Sequence, residues 1–309
     1  MLPKWRRRAL AYKLFSLFPF GNRLFDTVRA TVGLNRNFDL ARRHYSIVEM
    51  SYMLAQAGKS VKGKDLVEIG AGWHPLLPAL FYGMGAKSIV MTDIVKHIKQ
   101  SYVEQTLDYL IAHANEIADL AEIPANQLLT RWAGLHPHGK PWQKHWKEYG
   151  IEYHAPFDFR KTKWQADSVD MIYSNSCISY IPKPILEKIF QESARILKPG
   201  GWIAHNLMPY DDYASSDPSI TPLNFLRYDD EIWERIGNCG LHYQNRLRPI
   251  AYLSLAERYG LSIRFLERRQ HHLKKKMLIR SDLDEEFRYL PEEELLCAHF
   301  LMVVDKCDF

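Results

Sequence analysis

A carboxylate set beside a glycine turn is the first arrangement in this chain that could do chemistry. In Asp65-Leu-Val-Glu-Ile-Gly-Ala-Gly-Trp-His-Pro75 an apolar run rises to Glu68 and turns through Gly70, Ala71 and Gly72. Pro75 then suits the first position of a helix, where its missing N–H costs nothing. The pattern predicts a buried strand, a turn without room for side chains, and a helix whose N-terminus faces a ligand. A second apolar run, Ser88-Ile-Val-Met-Thr, ends in Asp93. The distance from the turn is about the 20 residues that place a carboxylate on a ribose diol. Ile94 follows and could cover an adenine face. Tyr153-His-Ala-Pro-Phe-Asp158-Phe159 ends a third strand in an acid suited to an exocyclic amino group, and Val169-Asp-Met-Ile-Tyr-Ser174-Asn175 is a fourth strand.

Two ligand chemistries compete for such a turn. A nicotinamide dinucleotide wants a third glycine where this chain has Pro75, and no acid just ahead of the first glycine. Glu68 stands there, able to bind the loop's own N–H groups and to attract a cation. S-adenosylmethionine carries an ammonium and a sulfonium, whereas a pyrophosphate carries only negative charge, so the acid fits the former. Further on, a helix over Pro184 to Leu197 runs into Lys198-Pro-Gly-Gly201, which stops it before a fifth strand, Trp202 to Leu207.

Glu68-x-Gly70-x-Gly72, Asp93, Asp158, Asp170 with Ser174-Asn175, and Arg195-Ile-Leu-Lys-Pro-Gly-Gly201 follow one another in order at strand ends. Over about residues 60–207 the chain thereby resembles the class I S-adenosylmethionine-dependent methyltransferases. The resemblance implies an α/β fold with a doubly wound, mostly parallel, seven-stranded sheet, and S-adenosylmethionine as cofactor. It implies cofactor contacts from Glu68, Gly70, Ala71, Gly72, His74, Asp93, Ile94, Asp158, Phe159, Ser174 and Asn175. Many members carry a third glycine where this chain has His74, which must project aside or hold the loop away from the methionine part.

The elements that position these residues suggest two parts. Residues 1–64 form a helical N-terminal extension; residues 65–309 form the cofactor-binding domain, with insertions at 97–150 and 208–246. A helix from Asp39 to Ala57 shows helical apolar spacing and carries Arg42, Arg43 and Tyr45 toward the methionine carboxylate or the acceptor. Ile98 to Leu120 reads as one long helix and Ile123 to Trp132 as another. His136-Pro-His-Gly-Lys-Pro-Trp-Gln-Lys-His-Trp146 is a loop whose histidines match no zinc spacing, so no metal is expected. Pro249 to Tyr259 is a helix ended by Gly260, and Leu261 to Glu267 is a sixth strand. By the resemblance, Ala298 to Val304 is a seventh, antiparallel strand.

The second insertion lies where sheets of this kind meet their ligands. Tyr210, Asp211, Asp212, Tyr213, Asp217, Asn224, Arg227, Tyr243, Asn245 and Arg246 form the pool for acceptor recognition, with Tyr180 and Asn206 beside it. About half of that pool, Asp217 and Asn224 especially, is expected to fold the loop by local bonds instead. Methyl transfer from a sulfonium is an in-line displacement with a neutral leaving group, so a hydroxyl or ammonium acceptor wants only proximity and a base. His205, near the end of the fifth strand, is the favoured base; Asp212 and Tyr213 are second choices. The polar cap points to a small acceptor, sugar-like or natural-product-like, methylated at oxygen or nitrogen.

Composition bounds these readings. Apolar residues make up 47% and charged residues 25%, an ordinary globular balance. Cys177, Cys239, Cys297 and Cys307 are scattered like free thiols of a reducing cytosol, so a cytoplasmic protein is expected. The net charge of +5 is modest and local, which disfavours a nucleic-acid substrate. One basic cluster holds Arg268, Arg269, His271, His272 and Lys274 to Lys276. The other, Lys4, Arg6, Arg7, Arg8 and Lys13, interleaves with Leu10, Leu14, Phe15, Leu17, Phe18 and Phe20 like a weak membrane-surface contact. The alternatives are a noncatalytic or membrane-attached cofactor-binding protein and a methyltransferase of macromolecules. Oligomeric state is left open.

Overall fold

The computed structural model describes residues 2–19, 40–270 and 278–307. Seven strands, β1 (Asp65–Ile69), β2 (Ser88–Thr92), β3 (Ile151–His154), β4 (Val169–Asn175), β5 (Leu197–Leu207), β6 (Leu261–Gln270) and β7 (Cys297–Lys306), form one sheet in the order β3-β2-β1-β4-β5-β7-β6. Neighbours from β3 to β5 pair parallel; β7 runs antiparallel to both β5 and β6. This is the doubly wound, mostly parallel sheet expected from the sequence. Strand order reverses between β1 and β4, so connections leave β1 and β4 on opposite faces and open a crevice at their carboxyl ends.

Helices cover both faces, as a sheet buried on two sides requires. Ile47, Met50 and Leu54 of the Leu40–Ala57 helix join Leu80, Phe81 and Trp132 against one face. Leu186, Phe190 and Tyr252 pack on the other. A third cluster lies beyond the sheet's end. There Trp5, Ala9 and Tyr12 of the Lys4–Ser16 helix meet Tyr213, Phe225, Leu226 and Trp233. The spacing i, i+4, i+7 puts those three on one stripe, and the second insertion supplies the surface that buries it. Leu10, Leu14, Leu17 and Phe18 of the same segment stay in solvent.

Several boundaries differ from the sequence reading. The long helix is two, Gln100–Ala112 and Ala114–Ala121. His113 between them leaves helical geometry (φ −108°, ψ 19°), and its Nδ1 lies 2.8 Å from the Tyr109 carbonyl oxygen. The turn lets Leu107, Leu110 and Ile117 all reach the core. Lys198-Pro-Gly-Gly201 belongs to β5 rather than preceding it. Lys198 Nζ sits 2.8 Å from Asp170 Oδ2, and a Cβ at Gly201 would come within 2.9 Å of the Asp170 carbonyl oxygen. Asp170 is therefore a clamp at the foot of β4, far from its ligand-facing end.

The His-Trp loop contains a short helix, Trp142–Lys147, with Trp142 and Trp146 buried. His145 Nε2 lies 2.9 Å from the Gly134 carbonyl oxygen, and the His136 and His138 rings lie 4.5 Å apart. Among the described residues no group of three metal-ligating side chains forms. The side chains of Arg42 and Arg43, and the basic run 271–277, lie outside the described residues.

Candidate functional site

At the carboxyl ends of β1, β2 and β4 lies a cleft of about 1070 Å³. That is at the upper end of the size of ligand pockets, about 300–1,000 Å³. Its floor is the turn after β1. Gly70 (φ +79°) and Gly72 (φ +64°) take left-handed backbone that other residues adopt only with strain. The N–H groups of Gly70 and Ala71 donate to the Thr92 carbonyl oxygen at 2.9 and 3.0 Å. The Gly72 N–H donates to Asp93 Oδ2 at 2.9 Å, and Asp93 Oδ1 accepts from the Val95 N–H at 3.0 Å. The Thr92 carbonyl and the Asp93 carboxylate, not Glu68, thus hold the loop's N–H groups, which corrects the sequence reading. β2 ends beside the turn, so its terminal carboxylate is the nearer acceptor.

Glu68 is left with another task. Its side chain is buried, it lines the cleft, and Oε2 has no hydrogen-bond partner. Burial first, and then the Asp93 charge, push its carboxyl well above the usual range. A buried carboxyl without a partner is costly unless a ligand completes it. A cationic ligand would do so, and the turn beside it is held in left-handed backbone at Gly70 and Gly72, with no room for a Cβ at Gly70. On these two observations the residues fit S-adenosylmethionine.

The rest of the expected cofactor set is mostly at the same rim. His74, Ile94, Asp158, Phe159 and Asn175 line the cleft with Glu68, Gly70, Ala71, Gly72 and Asp93. His74 projects aside: its ring packs 5.0 Å from that of Tyr102 and Nδ1 lies 3.4 Å from Thr106 Oγ1. The helix after it is Leu76–Gly83, with Pro75 as its cap rather than its first residue. Asp158 is forked on Arg160, whose Nε lies 2.8 and 3.0 Å from the two carboxylate oxygens. Ser174 is not at the rim; it is buried behind it, its Oγ 2.8 Å from His205 Nδ1.

His205 is the main correction. It is buried, does not line the cleft, and packs 5.6 Å from the Phe190 ring. Burial pulls its pKa down to about 3. A neutral core ring whose Nδ1 is engaged by Ser174 is no base for a ligand in the cleft. Tyr213 also leaves the catalytic set, since it is fully buried and donates its hydroxyl to the Gly237 carbonyl oxygen at 2.7 Å.

Five members of the acceptor pool, Asp211, Asn224, Arg227, Asn245 and Arg246, hold the cap together or tie it to its surroundings. Asp211 accepts from the Tyr213 N–H and Asn224 Nδ2, both at 2.8 Å. Asn245 Nδ2 donates to the Ile178 and Ile181 carbonyl oxygens at 2.8 and 2.9 Å. Arg246 is buried on the carbonyl oxygens of Phe225 and Tyr228. Arg227 pairs with Asp282 at 3.4 Å, outside the cleft.

Of the residues expected for the acceptor, Tyr180, Asp212 and Tyr243 line the cleft. The Tyr180 hydroxyl donates to Asp212 Oδ2 at 2.7 Å. Burial pushes the Asp212 carboxyl up, against the opposing pull of the Tyr180 bond and the Arg8 charge. Asn206 stands one bond behind the wall: its Nδ2 donates to Asn175 Oδ1 at 2.8 Å, and Asn175 Nδ2 donates to Ser46 Oγ at 3.0 Å. His299 Nε2 closes the row on Asn206 Oδ1. Lining residues that the sequence reading did not place at the site include Arg8, Tyr12, Ser46, Trp73, His97, Ser176 and His242. For Arg8 and Tyr12 the signal was the Trp5, Ala9, Tyr12 stripe, which marks the N-terminal helix as one that packs down.

Two expected results follow from this geometry. Burial holds His205 at about 3, and burial plus Arg8 hold His242 at about 4, both below the ordinary 6.5. Below pH 6.5 the unfolded chain takes up protons that the fold refuses. Stability is therefore lost as pH falls from 6.5 toward those folded values, at about 1.4 kcal/mol per pH unit for each histidine. A His205→Gln variant should show a shallower loss of melting temperature from about pH 6.5 to 5; an unchanged slope would contradict it. At Gly70, an added Cβ would lie 2.2 Å from Cys177 Sγ and 2.7 Å from its Cβ. Gly70→Ala should cost about 2–4 kcal/mol by denaturant titration, the sum of left-handed strain and overpacking. Cys177→Ala in the same chain should not rescue it.

Residues 137–205 match the family described as Methyltransferase domain, a span that begins after the glycine turn and covers β3, β4 and most of β5. No curated protein matches the chain. Among solved structures, an S-adenosylmethionine-dependent methyltransferase from Mesorhizobium loti is 16% identical at a TM-score of 0.46, over 84% of this chain and 97% of its own. A chain of the complex between the Haloferax volcanii Trm112 methyltransferase activator and a methyltransferase is likewise 16% identical at 0.46, over 85% and 90%. An S-adenosylmethionine-dependent methyltransferase from Methanosarcina mazei is 14% identical at 0.44, over 80% and 94%. Likeness this distant says nothing about acceptor or partner.

Proposed function

We propose that this chain, a member of the class I S-adenosylmethionine-dependent methyltransferases, methylates an oxygen or nitrogen of a small polar acceptor. The observation that carries the reading is the cleft itself. One half is a glycine cradle rimmed by Glu68, Asp93 and Asp158, and the other is a polar chamber holding Tyr180, Asp212 and Tyr243. When bound, the cofactor supplies a methyl group on a positively charged sulfur. The chain's own residues do the rest. Asp93 fixes the turn and offers its carboxylate to a ribose; Glu68 meets positive charge; Ile94 and Phe159 give apolar cover. Asp212, held by the Tyr180 hydroxyl, takes the proton from a hydroxyl or ammonium acceptor. Holding that acceptor close and collinear supplies most of the remaining advantage.

Incubation with methyl-labelled cofactor and a library of small polar acceptors tests this, beside calorimetry with S-adenosylmethionine and NAD. Transfer only to RNA or protein would overturn the acceptor class. Binding of NAD alone would overturn the cofactor.

A second reading concerns placement. Leu10, Leu14, Leu17 and Phe18 are exposed by 50, 53, 77 and 61%. They share a segment with Arg6, Arg7 and Lys13, a pattern suited to an anionic membrane surface. Among the described residues no helix is long and apolar enough to cross a membrane. Flotation with anionic vesicles, lost when Leu10, Leu14 and Leu17 are changed to Ser, would support surface attachment. Equal flotation of both proteins would reject it.

A further inference from the structure

Two arginines line the cleft. Arg160 is occupied by the Asp158 carboxylate, on which it forks. Arg8 differs. Its Nε donates to the Tyr12 hydroxyl at 2.7 Å and its Nη1 to Ser216 Oγ at 2.6 Å. Both partners are neutral oxygens, and they fix the guanidinium in place without cancelling its charge. The group also lies 5.3 Å from the Tyr12 ring and 5.9 Å from that of Tyr213. Rigid placement by hydroxyls and aromatic faces suits an arginine that is to meet a planar or tetrahedral oxyanion.

The surroundings leave that charge usable. His242, packed 5.2 Å from the Tyr12 ring, is kept neutral by burial and by Arg8 itself. Asp212 is the nearby acid of the cleft wall; its carboxylate accepts from the Tyr180 hydroxyl at 2.7 Å, and Arg8 acts on it through its charge while its own hydrogen bonds go to Tyr12 and Ser216. The remaining acids of the cleft, Glu68, Asp93 and Asp158, belong to the cofactor half. So the acceptor half presents a fixed cation.

We propose that Arg8 is the anion anchor of the acceptor site, and that the acceptor carries a carboxylate or phosphate group bound by Arg8 with the Tyr12 hydroxyl beside it. This rests on the methyltransferase reading and narrows it from polar acceptors to anionic ones. It also gives the N-terminal helix a function: it brings a specificity residue to a site built otherwise from the sheet and the second insertion.

The test uses the full chain saturated with S-adenosylhomocysteine. Calorimetric titration with inorganic phosphate, phenyl phosphate and benzoate is set against benzyl alcohol as neutral control. Saturable binding of at least one anion, weakened tenfold or more by Arg8→Gln with S-adenosylhomocysteine affinity unchanged, is the expected result. The tighter of phenyl phosphate and benzoate names the anion. No saturable anion binding, or equal binding by the variant, would overturn the proposal. Should the variant not fold, arginine-selective labelling of the unaltered protein decides: the same anions should shield Arg8 from modification, and an unshielded Arg8 overturns it. Failure of S-adenosylhomocysteine itself to bind would instead sink the methyltransferase reading.

Discussion

Asp212→Asn is expected to slow transfer to a hydroxyl or ammonium acceptor by about 10²–10⁴-fold, the usual worth of a positioned base. The amide is nearly isosteric and can still accept from the Tyr180 hydroxyl, which donates to the carboxylate at 2.7 Å. It cannot take a proton. S-adenosylhomocysteine affinity should not move, because the glycine turn and Asp93 make no hydrogen bond to Asp212. The pH profile separates a base from a wall. Burial raises the Asp212 carboxyl, so turnover should fall on the acid side as pH drops through that raised value. The limb should vanish in the variant. Initial rates across pH would show it, and an unchanged rate would mean that the acceptor needs no base, as a carboxylate acceptor does not.

Asp93→Ala should be the most damaging change to cofactor binding, weakening S-adenosylhomocysteine by about a hundredfold. The carboxylate ties down both the Gly72 and the Val95 N–H groups. Each hydrogen bond to a charged group is worth about 1.5–3 kcal/mol, and every 1.4 kcal/mol is tenfold in affinity. Part of that energy holds the turn in shape, so the loss in binding is smaller than the sum. Asp93→Asn should fall between, because its amide oxygen can still accept from one N–H. Calorimetry with both variants checks the order. Equal affinity in Asp93→Ala and the unaltered chain would mean the cofactor lies elsewhere.

The glycine turn and the strand-end acids that rim the cleft were legible in the sequence because their information is local. A glycine that must turn, an acid at the end of a strand and a helix start are each written within a few residues, and the parallel sheet fixes how they meet. The acceptor half was not. His205 and Asn206 are adjacent at the end of one strand, and successive side chains on a strand face opposite ways. Asn206 meets Asn175 at the cleft wall, while His205 meets Phe190 in the core. The sequence does not state that parity. Asp211, Asn245 and Arg246 are as polar as Asp212 and Tyr243, yet Asp211 and Arg246 close bonds within the cap and Asn245 ties it to Ile178 and Ile181. Their partners, such as Asn224 for Asp211, are other loop residues with no periodicity to reveal them. Arg8 reaches its site beside Ser216 from the far end of the chain. Only the buried stripe of its helix hinted at where it goes.

The orphaned carboxyl of Glu68 bears on how the spent cofactor departs. Burial and the Asp93 charge raise the carboxyl's pKa and a cation settling against it would lower it again, so cofactor loading should liberate protons where those two values straddle the pH of the buffer. Once the methyl has gone the sulfur is neutral, and the reward for keeping Glu68 ionised shrinks. The same side chain would then favour the fresh molecule over the exhausted one, and turnover would push its own by-product toward the exit.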